Sequence, residues 1–120
     1  MAHFYLYFLC AAVVGTLRSV GSNRMTVSIR DVLLQEHPIE TGLTIIRHFN
    51  LPTEMKCCNR LLVGQQYLFT GSSFTIGRNS MLFSMGCSDI YDVTLRNGQY
   101  FYKVSSSNVQ KFQPFCPNRF

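Results

Sequence analysis

Five cysteines and three histidines are the residues of this chain most able to do chemistry, and their spacing argues against most of it. Cys57 and Cys58 are adjacent, Cys10, Cys87 and Cys116 stand far from them, and neither Cys-x-x-Cys nor His-Glu-x-x-His occurs. The sequence therefore does not assemble ligands for zinc. Structural sulfur is the better reading, because five cysteines supply two disulfides with one thiol over. A cysteine nucleophile would need a base such as His48, but no protease-like motif surrounds Cys57 or Cys58. His37 falls in a connecting loop, and Gly64, Gly71 and Gly77 are isolated turn residues rather than a phosphate-cradling loop. With no acid, base or nucleophile in a recognisable frame, the expectation is a protein that is no enzyme and holds neither cofactor nor metal.

A chain of 120 residues makes one domain with a modest core. Eleven Lys and Arg stand against six Asp and Glu, a net charge of +5, and they are scattered without a run. That balance suits a weakly polyanion-seeking protein better than a dedicated nucleic-acid reader. Charged residues are only 14% of the chain while Tyr and Phe are abundant, which points to a β-rich fold.

Along the chain, residues 4–14 form an apolar run of signal-peptide length, followed by small residues at Gly15, Ser19 and Gly21. The run is too short to span a membrane, which takes about 20 apolar residues. Residues 1–22 are thus a signal peptide or, with Cys10 inside the folded protein, the first barrel strand over 11–20. Residues 26–34 alternate as a half-buried strand with a bulge expected at Asp31, and 43–49 make a second. Residues 61–63 read as a short apolar strand turning at Gly64 into an aromatic strand, 67–70, that Gly71 ends. A Gly- and Ser-rich connection, 71–80, leads to a strand over 81–85. Residues 88–94 fit a short helix or an extended crossing. Asn97-Gly98 is the strongest hairpin signal and opens a strand over 99–104; the tail from Ser105 is polar. The expected architecture is mostly β, a small antiparallel OB-like barrel with room for a short helix near the C-terminus.

Barrels of that type can bind nucleic acid through strand-face aromatics and cations. Tyr67, Phe69, Tyr100 and Tyr102 with Arg60 and Lys103 are the residues that would do so here. A barrel-core role for half of these rings is the stronger expectation, and no nucleic-acid partner is expected.

The stretch 57–71, CCNRLLVGQQYLFTG, resembles the netrin-like module and, within it, the tissue inhibitors of metalloproteinases. The shared features are Cys57, an apolar segment, a Val63-Gly64 turn, Tyr67-Leu68 and Gly71, then a strand ending in Cys87 with Asp89 and Asp92 just after it. Cys116 sits where that family has its closing cysteine, and the resemblance implies a Cys10–Cys116 bridge if Cys10 opens the first strand. It also implies a netrin-like domain over 23–120, or from about residue 8 if the start is a strand. Such a protein would be secreted and extracellular, and would occlude the active-site cleft of a metalloendopeptidase. The residues carried over as protease contacts are Glu54, Met55, Lys56 and Cys57. This chain lacks the Cys-x-Cys terminus with which the family chelates the protease zinc, so the resemblance implies a weakened inhibitor. The alternative is a non-inhibitory extracellular module whose basic surface contacts acidic matrix polysaccharide or protein. The partners expected are accordingly an extracellular metalloproteinase and acidic polysaccharide.

Overall fold

The computed structural model describes residues 9–21, 24–48, 60–77, 79–83 and 89–114. Eight strands account for most of them: β1 (Leu9–Val20), β2 (Arg24–Gln35), β3 (Gly42–His48), β4 (Gln66–Gly77), β5 (Ser80–Phe83), β6 (Ile90–Arg96), β7 (Gln99–Ser105) and β8 (Asn108–Lys111). The pairings run β1-β2-β3-β5-β4, and β4 pairs again with β1. All are antiparallel except β3 with β5. The mostly-β, barrel-like architecture expected from the sequence is the one observed.

The sheet is not a uniformly closed wall. Along one edge Gln66–Ser73 of β4 pair with β1; along the other, Tyr67–Phe69 pair with β6 and Ser73–Gly77 with β5. The sheet therefore forks at Thr70, where the hydroxyl donates to the Asp89 carbonyl at 3.0 Å. One branch completes the barrel-like ring, and the other carries β6, β7 and β8 away as a three-stranded arm.

This fork gives the chain two cores. Ala11, Val13 and Leu17 of β1 point into the barrel with Met25, Val27, Ile29, Ile46, Tyr67, Phe69, Met81 and Ile90. Ala12, Val14 and Leu68 point the other way and are covered by Tyr100, with Tyr91, Val93, Tyr102, Phe112, Leu33 and Leu34 packed around them. A strand buried on both faces needs a continuous apolar run rather than alternation, and residues 10–14 supply one. β1 spans Leu9–Val20, inside the 1–22 segment.

Gly15 is fixed by a close approach. A Cβ there would lie 2.5 Å from Val27 Cγ1 and 2.8 Å from the Ser28 carbonyl oxygen, so β1 and β2 can cross only over a hydrogen atom. The register shifts beside it, from Val14↔Asp31 to Gly15↔Ile29, which puts a bulge at Arg30, next to the bulge expected at Asp31.

Three sequence expectations require correction. Gly71 does not end β4: residues 71–77 are strand, because Ala11, Cys10 and Leu9 pair with Gly71, Ser72 and Ser73, and tertiary pairing overrides a loop-like composition. Residues 61–63 are not a strand. They wrap the end of β1, with Gly64 N–H donating to the Leu17 carbonyl at 2.7 Å and Leu17 N–H donating to the Gln65 carbonyl at 2.9 Å. The helix option at 88–94 is replaced by strand β6, and no α-helix occurs among the described residues. The polar tail contributes β8, paired to β7. Asn97 and Gly98 do form the β6–β7 turn, with φ of 50° and 76°, the positive values that a two-residue type I′ turn requires.

Candidate polyanion-binding face

The inward side chains of β2 and β3 fix what their outer face carries. Because Met25, Val27 and Ile29 are buried, Arg24, Thr26 and Ser28 face outward; because Thr44 and Ile46 are buried, Leu43, Ile45 and Arg47 do. The register places Arg24 directly opposite Arg47, Thr26 opposite Ile45 and Ser28 opposite Leu43. Thr16 and Ser19 of β1 extend the rows beside Ser28 and Thr26, and Arg18, the extra residue at the β1 bulge, is exposed beside them.

Two like charges directly opposite on neighbouring strands destabilise a sheet. Neither Arg24 nor Arg47 has a salt bridge among the described residues, where Arg60–Asp92 at 3.7 Å is the one ion pair. Asp31, the nearest acid along β2, accepts a hydrogen bond from the Tyr100 hydroxyl. The outer face of β1–β3 thus concentrates arginine and hydroxyl donors with no compensating carboxylate among the described residues. Arginine forks are suited to bidentate capture of sulfate, phosphate or carboxylate groups.

The remaining candidate chemistry resolves into structure. His37 Nδ1 lies 3.2 Å from the Pro38 carbonyl, which can only accept, so this nitrogen carries a proton. In the neutral ring Nε2 then accepts from the Ser73 hydroxyl at 2.8 Å. The arrangement has the form of a nucleophile and its base, with Ser73 0% exposed. It fastens the loop after β2 to β4, alongside Cys10 N–H, which donates to Glu36 Oε1 at 2.6 Å. No cluster of three His, Cys, Asp or Glu able to hold a metal occurs among the described residues. No described helix is long and apolar enough to cross a membrane.

The aromatics considered for nucleic-acid stacking are taken by the cores. Tyr67 and Phe69 are 4% and 0% exposed inside the barrel, Tyr100 is 9% exposed in the second core, and Tyr102 packs against it. The Tyr67 hydroxyl accepts from Leu62 N–H at 2.8 Å, and Arg60 is engaged by Asp92 and by the Ile90 carbonyl. Of that set Lys103 alone is an exposed side chain with no such role. Glu54, Met55, Lys56 and Cys57 lie outside the described residues, as do Cys58, Cys87, Cys116 and Arg78. Cys10 is fully buried, and no free thiol occurs among the described residues. The Arg24–Arg47 pair itself escaped the sequence reading, because 23 positions separate the two and only the β2–β3 register brings them together. Comparison with protein-family models, with curated proteins and with solved structures gives no match for this chain.

Proposed function

We propose that this chain is an extracellular binding module, not an enzyme, whose barrel presents the β1–β3 face to an acidic polysaccharide. The observation that carries the reading is the directly opposed Arg24 and Arg47, with Arg18 nearby and, among the described residues, no salt bridge to offset them. A pairing of like charges that costs stability is accounted for when an anion completes it. In barrels of the OB type the face of strands 2 and 3 is the one that binds oligosaccharides and oligonucleotides, and here that face is basic and hydroxyl-rich. The test is binding of the intact chain to a sulfated polysaccharide as salt is varied, beside an Arg24→Thr/Arg47→Thr variant. The reading requires affinity that falls with salt and a shallower dependence in the variant.

A second reading, the netrin-like metalloproteinase inhibitor, is supported by the barrel-like fold that the resemblance implies. In it Glu54, Met55, Lys56 and Cys57, in the connection between β3 and β4, occlude a protease cleft, and Cys10 pairs with Cys116. Titration of a matrix metalloproteinase separates the two: lost turnover, relieved by Met55→Ala/Lys56→Ala, favours inhibition.

A further inference from the structure

We propose that the outward face of the β6–β7–β8 arm is a second subsite for the same acidic polysaccharide, with Phe101 as a platform for a sugar ring and Lys103, Lys111 and Arg96 as partners of its acidic groups. The inference rests on the polysaccharide reading above but on a different set of residues.

The register assembles the face. Thr94, Phe101 and Lys111 lie directly opposite one another across the three strands. Arg96, two residues beyond Thr94 on β6, and Lys103, two residues beyond Phe101 on β7, share that side. The other side of the same strands carries Tyr91, Val93, Tyr100 and Tyr102, which cover the second core, so the Phe101 side is turned away from it. Phe101 is only half-buried, and Arg96, Lys103 and Lys111 are exposed. The acid on this side of β6, Asp92, is engaged by Arg60 at 3.7 Å. The Arg96 guanidinium lies 5.6 Å from the Phe101 ring centroid, within cation–π range.

A half-exposed ring flanked by three cations, with Arg96 over one of its faces, suits a ligand that is both ring-bearing and anionic. The carbon–hydrogen face of a pyranose meets the first requirement, and sulfate or carboxylate groups on its rim meet the second at Lys111, directly opposite the ring, and at Arg96 and Lys103, about 7 Å away diagonally and along the strand. A polymer engaged here and at Arg24–Arg47 gains by multivalency what neither patch supplies alone. Single-stranded nucleic acid shares the ring-plus-anion chemistry. Polysaccharide is favoured because one ring in the face offers no row on which successive bases could stack.

The test measures binding of the full chain to heparin and to single-stranded DNA over a range of salt. Lys103→Ser/Lys111→Ser is expected to weaken heparin binding about tenfold at low salt and to make the salt slope shallower by about two. Phe101→Leu, which keeps the apolar volume and deletes the ring, is expected to weaken heparin binding without altering the slope. Unchanged heparin affinity in either variant overturns the subsite, as does a loss confined to DNA. If those variants are silent while Arg24→Thr/Arg47→Thr weakens binding, the subsite fails and the polysaccharide reading stands. If the wild-type chain does not bind heparin, the reading itself fails.

Discussion

The hydroxyl of Tyr100 on β7 donates a hydrogen bond to the carboxylate of Asp31 on β2, 69 residues earlier, and so ties the arm to the barrel. Tyr100 is 9% exposed. Burial, together with the hydrogen bond to Asp31, pushes its phenol up to about 12 from its ordinary value of 10.0. Tyr91, in the same seam, is also raised, by burial first and then by the Asp89 charge.

The pH consequence has a definite sign. Above pH 10 the unfolded chain releases the Tyr100 proton while the folded chain holds it, so stability is full below pH 10 and is lost as pH rises towards 12. The expected loss approaches about 1.4 kcal/mol per pH unit within that window. Urea unfolding at stepped alkaline pH checks it. The decline should be smaller in Tyr100→Phe, which at neutral pH is itself less stable by about 1–3 kcal/mol for the lost bond to a charged partner.

Gly15→Ala is expected to destabilise the chain by about 1–3 kcal/mol, a typical cost of overpacking. The new methyl would meet the Ser28 backbone at 2.8 Å, and a strand crossing cannot give way as a side chain can. A lowered urea midpoint with an unchanged slope is the expected signature.

Removal of residues 1–22 is expected to abolish the cooperative unfolding transition. The cut takes away all of β1, including the buried Ala11, Ala12, Val13, Val14 and Leu17 that join both cores. Circular dichroism of the truncated chain against the full one gives the answer. A folded, cooperative truncated chain would assign β1 a dispensable role and favour the signal-peptide reading.

How far the sequence revealed this molecule follows from which contacts are local. The period-two pattern of β2, the Asn97-Gly98 turn and the mostly-β class depend on neighbours in the chain, and all were readable. The extension of β4 through Gly71–Gly77 was not, since small residues there are specified by β1 and β5 lying alongside. Nor was the dual burial of β1, because only the arm, distant in sequence, covers the second face of its Ala-Ala-Val-Val run. The candidate face suffered most. Arg24, Arg47, Phe101 and Lys111 are unremarkable singly, and register alone makes them neighbours.

Arg47→Thr separates binding from stability. Relief of the like-charge contact with Arg24 should leave the urea midpoint unchanged or slightly raised, while affinity for a sulfated polysaccharide falls. A site residue that costs stability behaves in this way. A lowered midpoint would instead show Arg47 to be a structural contact.

The most direct test of the polysaccharide-binding account is the salt dependence of heparin binding by the wild-type chain and by Arg24→Thr/Arg47→Thr. Affinity should fall steeply with salt for the wild type, and the logarithmic slope should become shallower by about two in the variant, one for each lost cation contact. Binding that ignores salt, or a slope the variant leaves unchanged, would contradict the account.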